Sequence, residues 1–406
     1  MRSVRYARTL RAPLLRALML ATLSGLPVLG ACAVNRRPTT TIAALQSDAD
    51  GLRVIDRALR DSVIERLVRR AKARGDGKLD MLLLSGGGQN GAFGVGFLRG
   101  WSARTDMPLP RFDLVSGVST GALQAPYALL GTPAALDTVT ALYRRAADRI
   151  APTVDWLFWL RRTGGVVQTK RFDQTLEASI DGQFRDDLRR AFADDRQLLF
   201  PTADFDLGIG RLWSLGDALD SSAAGLARAR QLLKAATAIP GIFPPVMIDG
   251  HLHGDGGVTA NVLIPLQYGD YQRLGARLAE AGLRNVTIRT YVIMNWWTHP
   301  PVVIVPPSNR KKISARTNNM LVFNHQPETL QNLSNLAAAV SASIPGLTME
   351  LKVTELPSYV ASEPGASKLF QKEFMRRLED LGVAKAGSAT PWDAIPSAYA
   401  RPSRDR

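Results

Sequence analysis

Two polar residues, each framed by glycines and far apart along the chain, have the types that acyl-transfer chemistry uses. Ser119 stands in Gly117-Val118-Ser119-Thr120-Gly121, where the apolar run that begins at Phe112 stops, and Asp255 stands in Gly254-Asp255-Gly256-Gly257. Gly-x-Ser-x-Gly is the pattern of a serine on a tight strand-to-helix turn. Small neighbours permit the strained backbone, and the turn lifts Oγ above the sheet edge within reach of a substrate carbonyl. The pentapeptide alone also fits an ordinary loop, and an aspartate among glycines is ordinarily a turn residue. The second turn, Gly254 to Gly257, is expected to expose Asp255.

A third glycine-rich stretch gives these residues a context. Ser85-Gly86-Gly87-Gly88-Gln89-Asn90-Gly91 follows the apolar run Met81 to Leu84 and precedes an apolar helix. Successive backbone N–H groups and a helix N-terminus there converge on negative charge, a phosphate or a developing oxyanion. The spacing Gly86-x-Gly88-x-x-Gly91 also satisfies a dinucleotide fingerprint, which wants a second strand ending in an acidic residue about 20 residues on. Here the next strand ends at Ser119 instead, which favours the oxyanion. Gly94 and Gly96 read as close helix packing. His251 and His253, two residues apart on an expected hairpin strand, offer a Ser-His-Asp triad as the alternative to a direct serine–aspartate pair. No metal-ligand spacing is present, and neither a metal nor a cofactor is expected.

The elements that must position these residues follow from periodicity. Leu52, Ile55, Leu59, Val63, Leu67 and Val68 recur at helical spacing, and Gly75 to Gly77 form a turn. The polar Asp80 delays the buried part of the next strand. Helices are expected over 120–130, with Pro126 a kink, and over 138–150, 170–180, 227–238, 330–344 and 367–381. Strands are expected at Leu198–Asp204, Gly210–Leu215, Val246 onward with a turn at Asp249-Gly250, and Asn285–Asn295. Pro300 to Lys312 reads as a surface connection. Trp156 to Leu160, rich in large apolar side chains, is either core or a loop that rests on lipid.

Composition bounds the rest. The 406 residues hold enough apolar content for a real core. Arg2, Arg5, Arg8, Arg11 and Arg16 precede an apolar run from Ala17 to Leu29, a secretory signal too short in its apolar part for a spanning helix. Cys32, the only cysteine, excludes a disulfide within the chain. Leu29-Gly30-Ala31-Cys32 resembles a lipobox, in which the cysteine is lipidated; plain secretion is the alternative. The formal charge of +15 falls to +10 once the five signal arginines are gone. Such a basic exported chain suits anionic lipid head groups, and no basic patch interleaved with aromatics points to nucleic acid.

With the three loops in view, the sequence resembles the patatin-like phospholipase family over roughly Lys78 to Leu381. The motifs that carry the resemblance come in order: Gly86 to Gly91, Gly117 to Gly121, Ala236-Thr237-Ala238-Ile239-Pro240-Gly241-Ile242-Phe243-Pro244-Pro245, and Asp255-Gly256-Gly257. The resemblance implies an α/β fold, a three-layer α/β/α sandwich with a mostly parallel central sheet. It implies Ser119 as nucleophile and Asp255 as base with no histidine between them. It also implies oxyanion donors from Gly86, Gly87, Gly88 and Gly91, with Gly87 and Gly88 foremost. Gly117, Gly121, Gly256 and Gly257 support the motifs. Asn90 departs from the Arg or Lys of many members, so a side-chain contact there to a phosphate is not implied.

The organisation read from this is a signal over 1–31, a lipidated tether and amphipathic helix over 32–77, a catalytic domain over 78–381 and a disordered tail over 382–406. The expected function is hydrolysis of phospholipid, lysophospholipid or a related acyl ester at the cell envelope, with membrane attachment through Cys32. Acyl transfer and a catalytically silent lipoprotein that binds lipid or a protein partner are the alternatives.

Overall fold

The computed structural model of the chain describes residues 39–146, 153–154, 163–298, 302–323, 325–368 and 370–395. The signal segment, Cys32, the Trp156 to Leu160 stretch and residues 396–406 lie outside them. In chain order the first elements are α1 (Ile42–Arg74), β1 (Lys78–Leu84), α2 (Gly91–Ser102), β2 (Leu114–Gly117), α3 (Thr120–Leu130), α4 (Pro133–Arg144), β3 (Thr153–Val154) and β4 (Val167–Gln168). Then come α5 (Lys170–Ser179), α6 (Gly182–Ala193), β5 (Gln197–Asp204), β6 (Ile209–Ser214), α7 (Leu215–Ala218), α8 (Ala223–Ala236), β7 (Val246–Ile248) and β8 (His251–Asp255). The series closes with α9 (Tyr268–Glu280), β9 (Val286–Met294), α10 (Arg310–Phe323), α11 (His325–Ser343), β10 (Leu347–Glu355) and α12 (Lys372–Gly387).

The unbroken apolar run of β1 explains the layering. Leu82 and Leu84 enter one core with Phe93 and Phe97 of α2, Ala122 of α3 and Leu378 of α12. Leu79, Met81 and Leu83 enter a second core with Leu67 of α1, Leu274 of α9 and Leu333 of α11. A strand that alternates between two dry faces must be covered on both, and helices do so here. The sheet order is β10-β9-β1-β2-β5-β8-β7, with β6 also on β5. The pairings from β10 to β5 are parallel, whereas β8 meets β5 and β7 antiparallel. The result is a mostly parallel sheet in an α/β/α sandwich.

Several expectations change. The stretch before Asp48, read as part of an unstructured tether, is helical from Ile42, because the Thr41 side chain accepts the Ala44 amide and caps it. Ile55 of the expected apolar face is exposed, while Leu52, Val63 and Leu67 are buried. Asp80 is fully inside: Arg289 grips both its oxygens at 2.7 Å, and Arg74 bridges it to the buried Asp113. Arg70 reaches Asp113 as well, so α1 packs on the main domain and is fastened to the sheet. At the other end α12 runs to Gly387, beyond the expected tail boundary. Trp392 then stacks edge-on against Trp101, and Asp393 forms a bridge with Val353.

Candidate active site

β1 pairs with β2 on one side and β9 on the other, Leu84 lying opposite both Gly117 and Ile293. The C-terminal ends of three parallel strands therefore deliver their loops to one edge, where the chain departs from β1 in two directions, a usual place for a ligand in such sheets. Ser119 stands there between β2 and α3, at φ 53° and ψ −121°, a backbone conformation that side-chain-bearing residues rarely adopt. Its neighbours make that turn possible. A Cβ on Gly121 would stand 2.5 Å from the Leu84 carbonyl oxygen, and one on Gly117 would strike the Gly121 backbone. Only glycines let α3 sit this close to the end of β1.

Asp255 reaches the same place from the antiparallel side of the sheet. Its register partner is Thr202 of β5, and its amide donates to Ala238 O at 2.9 Å. The residue is 4% exposed rather than presented on an open turn. Oδ1 accepts the Gly257 amide at 2.8 Å, while Oδ2 is buried without a well-formed partner. Burial pushes the carboxyl up to about 6, against hydrogen bonding from the Ser119 hydroxyl and the Gly257 amide. The serine hydroxyl is thus beside the carboxyl in a loose contact, of the kind that tightens when substrate binds.

The four glycines of the loop divide into two roles. The Gly86 amide donates to Asn261 O at 3.0 Å, and the Gly91 amide turns back onto the carbonyls of Gly88 and Gln89. Neither is therefore free for an oxyanion, contrary to expectation. Gly87 and Gly88 donate to no acceptor among the described residues and line the cleft beside Ser119. Gly88 has φ 57°, which aims its amide by a conformation glycine adopts without strain. Gly256 packs on the Pro201 backbone, and Gly257 supplies the bond to Asp255.

Sequence reasoning did not find the residues that hold this loop. Asn295, fully buried just past β9, accepts the Gly94 amide at 3.0 Å and donates to Ser85 O at 2.9 Å. Gln124 of α3, equally buried, donates to Gly91 O at 2.8 Å. Their one sequence signal is an amide ending or interrupting an apolar run.

The two histidines are inside, on β8, and engaged elsewhere. His253 Nδ1 lies 2.9 Å from Thr202 Oγ1, and burial pushes the ring down to about 4, so it is neutral. His251 lies between Asp204 and Asp48, at 3.0 and 3.2 Å. Neither ring contacts Ser119 or Asp255 within hydrogen-bond distance. Asp204, Asp206 and His251 do bring three possible metal-ligand atoms within 4.8 Å of one another, a grouping that residues so far apart in sequence did not reveal. Arg211 Nη1, 3.5 Å from Asp204, already brings a positive charge to that carboxylate.

Two cavities meet at Gly88, Ser119 and Ile239. One is walled by apolar side chains such as Leu123, Val139, Phe172, Leu176 and Phe243. The other is a wider cleft, more polar than the first though still mostly apolar in its lining, into which Asp255, Asn261, Gln326 and Lys368 bring polar groups. An ester carbonyl at Ser119 would have a dry side for a long chain and a wet side for an alcohol.

Comparison with known families agrees with this arrangement: residues 82–267 match the family model described as patatin-like phospholipase. That segment contains the glycine loop, Ser119 and Asp255. No curated protein matches the chain.

Proposed function

We propose, on the premise that residues 82–267 are a patatin-like phospholipase domain, that the protein is a serine-dependent lipid acyl hydrolase of phospholipase A or lysophospholipase type. The supporting observation is Ser119 at the joint of a dry cavity and a wet cleft, next to the buried Asp255 carboxyl, whose Oδ2 has no well-formed partner among the described residues. Ser119 Oγ attacks the ester carbonyl while Asp255 takes its proton. A carboxyl shifted up to about 6 is a stronger base than an ordinary one and is still ionised at neutral pH. The Gly87 and Gly88 amides hold the tetrahedral oxyanion, each such donor being worth roughly 3 kcal/mol. Asp255 then passes its proton to the departing alcohol, leaving the acyl group on Ser119. Water, deprotonated by Asp255, attacks that acyl-enzyme and frees the fatty acid and Ser119.

The place of action follows from the N-terminal sequence: an arginine-rich apolar signal ending at Cys32, whose lipidation would anchor the enzyme in the cell envelope. A fluorophosphonate probe tests the chemistry. The folded protein is expected to be labelled and Ser119→Ala is not, with fatty-acid release from lysophospholipid or acylglycerol lost in parallel. Absence of labelling in folded wild-type protein would leave a lipid-binding lipoprotein instead.

A further inference from the structure

The polar cleft contains groups that the proposed acyl chemistry does not use. Gln326, at the start of α11, is 3% exposed, and among the described residues neither its Nε2 nor its Oε1 has a partner. Asn261 Nδ2 is likewise buried and unpartnered. Both side chains border the cleft that opens at Ser119. Buried amides are nearly always hydrogen-bonded, so an amide lacking protein partners at both ends beside a cavity marks a place where water or a ligand supplies them.

The charges around the cleft narrow the ligand's chemistry. Gln326 needs a donor as well as an acceptor, and a phosphate offers acceptors only at neutral pH. Asp255 and Glu328 line the same cleft, Glu328 with His325 at 3.7 Å; no arginine borders it among the described residues, and Lys368 is its one lysine. Hydroxyl groups, each both donor and acceptor, meet the requirement without charge. Gln326 also lies beyond residue 267, outside the segment that matches the family.

We propose that the cleft is the leaving-group subsite and that it takes a neutral, hydroxyl-rich alcohol such as the glycerol of a monoacylglycerol, recognised by Gln326 and Asn261. This rests on the serine acyl-hydrolase reading and replaces the phospholipid alcohol of that reading with a neutral one. It makes Gln326 a determinant of the alcohol and leaves acyl-chain binding to the apolar cavity.

The test compares two esters of one acyl chain on the purified full chain: monooleoylglycerol, whose alcohol can use the cleft, and p-nitrophenyl oleate, whose alcohol lacks hydroxyls. Gln326→Met is expected to lower kcat/KM for the glycerol ester roughly tenfold, about what two neutral hydrogen bonds supply, and to leave the p-nitrophenyl ester within about twofold. Unchanged p-nitrophenyl turnover also reports that the variant is folded. Should Gln326→Met not fold, Gln326→Glu keeps the size and the acceptors but removes the donor, and the same split is expected. Equal effects on both esters, no effect on either, or a wild-type preference for oleoyl lysophosphatidylglycerol over monooleoylglycerol overturns the proposal. Failure of wild type on both esters, with no fluorophosphonate labelling, overturns the hydrolase reading itself and the subsite with it.

Discussion

At the scale of the residue, Asp255 links reactivity to stability. On the proposed mechanism its carboxyl, raised to about 6 by burial, must be ionised to accept the serine proton. The rate constant kcat/KM is therefore expected to rise about tenfold per pH unit below 6 and to level off above it. The effect on stability has the opposite sign. Between about pH 4 and 6 the folded chain holds a proton that the unfolded chain has released, so this group's contribution is fully present below the lower value and is lost as pH rises through 6. Asp255→Asn is accordingly expected to be inactive yet more stable than wild type at pH 7.5, by on the order of 2–3 kcal/mol, with the gap closing near pH 4. Thermal unfolding at the two pH values decides it; a gap of the same size at both would show that the carboxyl is not strained by burial. The strained turn at Ser119 was legible in the sequence because what marks it is local: such a turn needs glycine on either side, and glycine spacing can be read directly. The burial of Asp255 was not, since it depends on β5 and Ala238, which reach it through tertiary pairing.

At the scale of the element, the glycine loop is held by side chains from other strands and helices. Asn295→Ala leaves the Gly94 amide and the Ser85 carbonyl unpaired inside the protein, which costs roughly 2–4 kcal/mol. It also frees the loop whose Gly87 and Gly88 amides are proposed to hold the oxyanion. The expected signature is a fall in kcat of about a hundredfold with KM little changed. A loss confined to KM would argue against that role. The sequence carried no comparable cue for Asn295, Gln124 or Asn261, because a single amide at the end of a run has many ordinary uses. β10 escapes the sequence reading although Leu347, Met349, Leu351 and Val353 alternate with polar residues, the pattern of a strand with one buried face. The histidines shared one face as their spacing required, but that face meets Thr202, Asp204 and Trp213 rather than the serine.

At the scale of the whole molecule, the N-terminal helix belongs to the folded body. Arg74 lies against two buried carboxylates, Asp80 and Asp113, so Arg74→Ala is expected to destabilise by roughly 3 kcal/mol. Arg69→Ala, which removes a more exposed pair with Asp195, is expected to cost less than about 1 kcal/mol. Denaturant unfolding of the two variants distinguishes a fastened helix from an appended one. Asp80 was read as a delay in the strand because an isolated carboxylate is not buried. Its partners come from α1 and β9, which no local window contains together. The layered α/β plan was legible, since an apolar run without alternation demands cover on both faces.

The meeting of the two cavities at Ser119 has a kinetic corollary. On the proposed hydrolase reading, once an ester is cut its halves part company: the fatty chain stays docked in the dry chamber while the alcohol is shed into the wet one. Whatever molecule next fills the vacated space then decides the fate of the stranded acyl group. Water yields a free acid, and a crowding polyol yields a fresh ester, so the partition between the two products reports which of them the cleft admits.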